Sequence, residues 1–255
     1  MNIVAIFNLV PDLVEELEID QSGTALNMDF LRLIINEFDD HAIEQAILLK
    51  ERSGARVSVV GPSIDGADDV LYTAASKGAD QVIKLTADFQ GKKVNNHAMA
   101  RAFASTLKEL QADLILTGVQ ANTDLDGSIG PLLAEYLGMP YVGYVSGVNA
   151  VDGKVVARKE YPGGLVAEME IKLPAVLGIQ AAEQPPRYVA VTKVRQAMKT
   201  TTIEERLLAE PDLSGDVCIH RMFKPEVGTR AEMIEGSADE VAARLVGIFK
   251  EIGVL

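Results

Sequence analysis

Residues Gly118 to Ile129, GVQANTDLDGSI, concentrate side chains suited to binding rather than to burial. Gln120, Ala121, Asn122, Thr123, Asp124, Leu125, Asp126 and Gly127 follow the apolar run Leu114-Ile115-Leu116, with Val119 between, and precede Ser128. The apolar run has the pattern of a parallel strand covered on both faces. Ser128 is placed to cap a helix whose stripe is Ile129, Leu132, Leu133, Tyr136 and Leu137, and Gly138 closes it. A polar loop between a strand's C-terminal end and a helix N-terminus aims free N–H groups and the positive end of the helix dipole at one spot. Open α/β sheets hold anions this way, and a nucleotide phosphate suits it. Three features oppose that reading. The loop is neither GxGxxG nor GxxxxGK[ST], it contains no Lys or Arg, and Asp124 and Asp126 repel phosphate unless they turn away or cap nearby amides. An ordinary βα connection is the competing reading, although the loop exceeds the roughly two to six residues usual for one.

Composition narrows the classes. The 255 residues suffice for one large domain or a domain with an appendage, and 48% hydrophobic content supplies a core. A net charge of −13 argues against a general nucleic-acid surface, which demands clustered Lys and Arg. The single cysteine, Cys218, excludes an internal disulfide and a cysteine-cluster metal site, and three scattered histidines make no zinc site. No run of about 18 apolar residues marks a membrane span, and the N-terminus lacks a basic n-region. The expectation is a soluble cytoplasmic protein with no metal and no catalytic constellation.

The elements that must position the loop alternate along the first half. Asn2 to Asn8 is an apolar, β-branched strand. Leu9 to Ile19, punctuated by Pro11, reads as an acidic hairpin or loop, with a turn at Gln21-Ser22-Gly23. Asn36 to Arg52 reads as a helix capped by Asn36, with Asp39 and Asp40 at its positive end, an Ala42, Ile43, Ala46, Ile47, Leu49 face and Gly54 as its stop. Val57 to Val60 is a strand, Ser63 caps the next helix, Val82 to Leu85 is a strand, and Asn95 to Leu110 is a helix with a solvated His97 in its first turn. The order βαβαβαβα predicts a parallel sheet with helices on both faces. Right-handed crossovers then place the loops after Ile6, Val60 and Thr117 on one edge.

After Pro140 the pattern changes. Tyr144 to Val148, Val155 to Tyr161 and Leu165 to Ile171 read as strands of an antiparallel ribbon, with turns at Asp152-Gly153 and Pro162-Gly163-Gly164. Ala175 to Ile179 is one more buried strand. From Pro185 the chain is relatively basic, with apolar residues but no clear element boundaries, and reads as an arm that packs on a partner. Ser237 and Glu240 form a capping box for a terminal helix with a Val241, Leu245, Ile248, Phe249, Ile252 stripe. The expected division is an α/β nucleotide-binding domain with ribbon over 1–184 and a partner-recognition loop, arm and terminal helix over 185–255.

Together the NIVAIFN strand, NEFDDHAIEQA, GVQANTDLDGSIG, RKEYPGGLVAEMEIKLPAV and PPRY resemble the small, β subunit of electron-transfer flavoproteins over essentially the whole chain. The stretch GTRAEMIEG resembles the form that serves methylated-amine dehydrogenases in methylotrophs. The resemblance implies an adenine-nucleotide hydrolase-like, three-layer fold without hydrolysis. It also implies a heterodimer with a larger α subunit that holds most of the redox FAD, and a structural AMP on this chain. Carried over by motif, the AMP site comprises Ala5, Asn36, Glu37, Phe38, Asp39, Val60 and Gly118 to Ile129. Glu160, with Arg158, Gly163 and Gly164, matches an acidic position that pairs with the flavin domain. Tyr188 to Ala197 matches the loop that docks on donor dehydrogenases; its Tyr188, Val189, Ala190, Val191, Thr192, Lys193, Val194 and Arg195 are the expected partner contacts. Val191 stands where relatives place a leucine anchor. The implied activity is electron transfer from a flavin dehydrogenase to a respiratory acceptor such as a quinone reductase.

The chain departs from the family in two places. Phe7-Asn8 replaces the Lys-Gln or Lys-Arg pair that follows the first strand in many relatives, and Asp126-Gly127-Ser128 is not the Asp-Gly-Asp-Thr expected of relatives that bind a second FAD in place of AMP. Two alternatives stay open: a bifurcating, NADH-dependent flavoprotein subunit with a second FAD in place of AMP, and a stand-alone adenine-nucleotide-binding stress or sensor protein.

Overall fold

The computed structural model of the chain describes residues 1–86, 95–125, 127–151, 154–208, 219–226, 228 and 231–255. They form two compact units, Met1–His220 and Arg221–Leu255. In the first, the chain runs β1 (Asn2–Ile6), β2 (Leu9–Pro11), β3 (Leu33–Ile35), α1 (Glu37–Ser53), β4 (Arg56–Pro62), α2 (Ala67–Lys77), β5 (Gln81–Thr86), α3 (Asn96–Glu109), β6 (Leu114–Gly118) and α4 (Ile129–Leu137). It continues with β7 (Tyr141–Val151), β8 (Lys154–Tyr161), β9 (Leu165–Ile171), β10 (Ala175–Ile179), α5 (Val191–Thr200) and β11 (Glu204–Leu207). The second unit holds α6 (Ala238–Glu251).

The main sheet has the order β11-β5-β4-β1-β6-β10-β7-β8-β9. Pairing is parallel from β11 through β7 and antiparallel only in the β7–β8–β9 ribbon. Residues alternate across it, as strand geometry requires. Ile3, Ala5 and Phe7 pack with α1 and α2 on one face, while Val4 and Ile6 pack with α3 and α4 on the other. β6 divides likewise, with Leu114 and Leu116 on the first face and Ile115 on the second. Each fully buried Leu or Ile here stabilises the fold by about 1.5–3 kcal/mol. This is the expected α/β, three-layer arrangement.

Chain order explains where a ligand can sit. From β1 the chain moves outward through β4 to β5, then crosses back under α3 to place β6 on the other side of β1. The C-terminal ends of β1 and β6 therefore flank the topological switch point, where helices leave in opposite directions and a crevice opens.

Several local expectations are revised. Pro11 does not break the chain there but ends the short strand β2, which pairs antiparallel with β3. Helix α2 begins at Ala67 behind a left-handed Gly66, not at Ser63; the intervening residues make a turn closed by the Ala67 amide on the Ile64 carbonyl (3.1 Å). His97 is half-buried, its Nδ1 3.3 Å from the Tyr136 hydroxyl, rather than solvated. The stretch after Pro185 is more ordered than its pattern indicated. α5 packs on α2, and β11 extends the sheet as a parallel edge strand beside β5. The Asp152-Gly153 turn, Cys218 and half of the 211–228 stretch lie outside the described residues.

In the second unit, the capping box is formed. The Ser237 amide donates to Glu240 Oε2 (2.8 Å), and Ser237 Oγ accepts from the Glu240 amide. No residue of α6 is buried, and Leu245, Ile248, Phe249 and Ile252 are exposed.

Candidate functional site

Two residues at the start of α1 organise the switch point. Asn36 occupies the N-cap position, but its side chain caps nothing; instead Nδ2 donates to the Gln120 carbonyl (2.9 Å) and tethers the loop after β6. Asp39 lies in the first turn and is buried. Its Oδ2 accepts from the Asn8 amide (2.9 Å), just beyond β1, and its Oδ1 from the Gly118 amide (2.7 Å), at the end of β6. One carboxylate thus braces the two strand ends on either side of the crevice. Burial pushes the Asp39 carboxyl up to about 7, because taking the charged form out of water costs more than the hydrogen bonds from the Asn8 and Gly118 amides and the Asn36 side chain return.

The brace requires Gly118. A Cβ there would stand 2.4 Å from Asp39 Oδ1, 2.8 Å from Phe38 Cβ and 2.9 Å from the Asp39 amide nitrogen. Phe7 makes a similar demand on the neighbouring strand. Its amide donates to the Val60 carbonyl (3.1 Å), and its ring lies over Gly61, where a Cβ would meet it at 2.2 Å.

The loop 119–128 folds on its own polar groups. Asp124 Oδ2 accepts from the Ala121 amide (2.8 Å), while Asn96 Nδ2, from the start of α3, donates to Asp124 Oδ1 and to the Gly127 carbonyl (both 2.7 Å). Asp124 therefore turns toward amide and carboxamide donors, one of the two conditions under which its charge is compatible with an anion nearby. Behind the loop, α4 starts with Ile129 and Gly130, and Thr117 Oγ1 is buried there without a hydrogen-bond partner, close beneath Gly130.

Of the expected nucleotide residues, Asn36, Asp39, Gly118, Gln120, Ala121, Asp124, Ser128 and Ile129 line one crevice. Ala5, Val60 and Val119 are buried beneath it, and Glu37, Asn122, Thr123, Leu125 and Gly127 face solvent. Phe38 lines a different cleft, and Asp126 lies outside the described residues. Asn8, singled out only as part of the Phe7-Asn8 departure, and Asn96 also line the crevice, outside the expected set. Asn96 had a signal in the Asn95-Asn96 pair: Asn95 caps α3 by accepting from the Ala98 amide (2.7 Å), which leaves its neighbour for the loop.

The expected partner residues lie elsewhere on the unit. Glu160 accepts from Ser146 Oγ (3.2 Å) and pairs with Arg158 (3.1 Å) at a cleft of about 840 Å³ between the ribbon and residues 180–183. Tyr188 is 87% exposed and Val191, the first residue of α5, is 58% exposed, with Lys193 and Arg195 also exposed on the helix. Nearby, Tyr144 holds a left-handed backbone (φ 59°) and shares the Lys159 ammonium with Tyr161, at 5.6 and 5.4 Å from the ring centres. Among the described residues no group of three or more His, Cys, Asp or Glu is arranged to hold a metal ion, and no helix is long and apolar enough to cross a membrane.

Comparison with known proteins bears on what this arrangement serves. The family model for the electron transfer flavoprotein domain matches residues 29–211. The chain is 34% identical to the electron transfer flavoprotein subunit beta of Methylophilus methylotrophus over 263 aligned positions, covering 98% of both chains. It is 30% identical to the subunit beta of Clostridium acetobutylicum, again over 98% of each, and 25% identical to that of Bacillus subtilis, with the same coverage. The matched region contains α1 with its Asp39 brace, the loop after β6, the ribbon and the segment leading to α5, and the chain belongs to the electron transfer flavoprotein family as a subunit of the beta type.

Proposed function

We propose that this chain is the nucleotide-binding, partner-docking half of a heterodimeric electron carrier, with AMP at the switch point and FAD held mainly by a larger α subunit. The observation that carries the reading is the convergence of Asn36, Gly118, Gln120 and the start of α4 at one crevice. The donor set fits a nucleotide monophosphate. The first amides of α4 carry the positive end of its dipole, and the buried Thr117 hydroxyl beneath Gly130 lacks a partner. Asn36 and Gln120 supply neutral amide groups for a base or ribose. The crevice holds about 20 Å³, room for about one water, so AMP requires it to widen.

The remaining sites complete the carrier. The exposed stripe of α6 and the cleft at Glu160 serve the α subunit, with Glu160 pairing with its flavin domain. Tyr188 to Arg195 dock on a donor flavin dehydrogenase, with Val191 as the apolar anchor and Lys193 and Arg195 as its charged rim. Electrons then leave for a quinone reductase. FAD supplies the redox chemistry, and this chain holds, orients and docks; the reading requires no acid, base or nucleophile from it.

Co-expression with the large subunit, followed by denaturation and quantification of released FAD and AMP, tests the reading. One FAD and one AMP per heterodimer is the expected result. Two FAD without AMP would assign the chain to the bifurcating type, and no co-purifying subunit with exchangeable ATP would make it a stand-alone nucleotide binder.

A further inference from the structure

Between β10 and α5 the chain crosses the outer face of α1 as an extended strap, and α1 side chains satisfy its backbone. The Ala182 amide donates to His41 Nδ1 (3.2 Å), the Glu183 amide to Gln45 Oε1 (3.1 Å) and the Arg187 amide to Glu44 Oε2 (3.0 Å). Gln45 Nε2 donates in turn to the Val148 carbonyl (3.1 Å), and Arg52 pairs with Glu183. The strongest attachment is the last. Arg187 Nε donates to Glu44 Oε1 (2.7 Å), while its two terminal nitrogens fork onto Glu51 at 2.6 and 3.1 Å. The Glu44 side chain is 2% exposed, and Lys77, 3% exposed, stands 4.0 Å away.

Arg187 is also the last fixed point before the chain emerges. Tyr188 is almost fully exposed, and a cavity of about 440 Å³ lies among α1, α2 and residues 186–189. The direction in which 188–195 leaves the surface is therefore set at one end by Arg187 and at the other by the packing of α5 on α2, where Ala197 is buried.

We propose that Arg187 and Glu44 are positioning residues for donor recognition: their ion pair, with Glu44 buried and Arg187 half-buried, fixes the launch of segment 188–195 from α1, without either side chain touching the donor. The proposal rests on the reading of 188–195 as the donor-docking segment. A guanidinium–carboxylate pair suits the role, because Glu44 takes both the Arg187 backbone amide and its Nε, and two bonds from one residue specify an angle as well as a distance. Ordering the segment beforehand spares that cost when the donor arrives.

The test uses the complete heterodimer with the donor dehydrogenase that reduces the unaltered protein, comparing Arg187→Met, Arg187→Lys and the double variant Glu44→Gln/Arg187→Met, which leaves no unpaired buried carboxylate if the single change fails to fold. Amide hydrogen exchange is read over 186–196, and KM for the donor and kcat are read separately. The expected result is faster exchange over that segment and a KM raised about tenfold, with kcat and bound FAD unchanged and Arg187→Lys intermediate. Unchanged exchange would overturn the proposal. Val191→Asp separates it from the docking reading beneath. If Val191→Asp raises KM while Arg187→Met speeds exchange without raising KM, the positioning proposal fails. If neither variant changes KM, the docking role of the segment fails, and the proposal with it.

Discussion

At the start of α1, Asp39 meets neutral donors, the amides of Asn8 and Gly118 and the Asn36 side chain. Further along the same helix, Glu44 meets the Arg187 guanidinium, with the Lys77 ammonium beyond. Both carboxylates are buried, and both join α1 to a distant part of the chain. The crevice brace has no formal cation to balance its charge, so burial raises the Asp39 carboxyl into the neutral range. The strap clamp is balanced by opposite charge. On the proposed nucleotide reading, a crevice without a cation fixed on Asp39 leaves its donors to the ligand, because a cation placed to balance Asp39 would lock the crevice to its own carboxylate. A strap that must hold an angle gains from a carboxylate that takes both the backbone amide and the guanidinium of one residue. The comparison predicts that the crevice is limited by sterics and proton occupancy, and the clamp by charge.

The largest expected effect breaks the brace sterically. Gly118→Val puts a branched side chain where a bare Cβ already meets Asp39 Oδ1, Phe38 and the Asp39 backbone inside 3 Å. Because one of those atoms is backbone, α1 itself must shift. A loss of at least about 4 kcal/mol is expected, read as failure to recover soluble heterodimer. Wild-type yield from this variant would show that α1 and β6 are not rigidly braced.

Next is the proton. With a folded pKa of about 7 and an unfolded value of 3.8, Asp39 binds a proton more tightly in the native state. Its contribution to stability is fully present below about pH 4 and is lost as pH rises through 7, with a slope of at most about 1.4 kcal/mol per pH unit. Asp39→Asn removes that titration while keeping one acceptor. The stability advantage of the wild type over Asp39→Asn is therefore expected to narrow from pH 4 to above pH 7, measured by urea unfolding across pH at fixed heterodimer concentration. An advantage that widened with pH would mean that the amides, not burial, dominate the site.

These contrasts show what the sequence could convey. The alternation of β-branched runs with capped helices made the parallel sheet legible, and Gly54, Gly78 and Gly138 marked the ends of α1, α2 and α4 in agreement with the structure. The loop after β6 announced itself by length and polarity. Other parts lacked a local signal. β11 is Glu-Glu-Arg-Leu, an edge strand identified only by its parallel partner β5. α5 has apolar residues at helical spacing, Val191, Val194 and Ala197, but Ala190 cannot cap it and no glycine ends it. Asp39 had the composition of a helix-dipole residue; its second role depends on β1 and β6 arriving at the same place, which is a property of topology. Likewise Glu44 and Arg187 are 143 residues apart, so nothing in either neighbourhood announces the pair.

On the charged side of the comparison, Lys77→Met is expected to cost about 2 kcal/mol. Lys77 is nearly buried and bonds Asp40 at 2.5 Å, but Asp40 is 30% exposed and can recover water, which keeps the loss below the 3–5 kcal/mol or so of a fully buried pair. Thermal unfolding of the heterodimer would measure it, and a neutral result would remove Lys77 from the electrostatic support of Glu44.

The smallest effect divides the clamp itself. Glu51 takes two hydrogen bonds from Arg187, and these hold its carboxyl below the usual range. Yet its side chain is 52% exposed, against 2% for Glu44. Solvent screens an exposed carboxylate and rehydrates its partner when it is removed, so Glu51→Gln is expected to change stability by less than about 1 kcal/mol. Glu44→Gln leaves Arg187 facing a neutral buried amide and is expected to cost more. Measuring both on the same heterodimer tests the comparison at its finest grain, because the two carboxylates share one guanidinium and differ chiefly in access to water. If the exposed member mattered as much as the buried one, number of hydrogen bonds rather than burial would set the strength of the clamp, and the contrast with Asp39 would lose its physical basis.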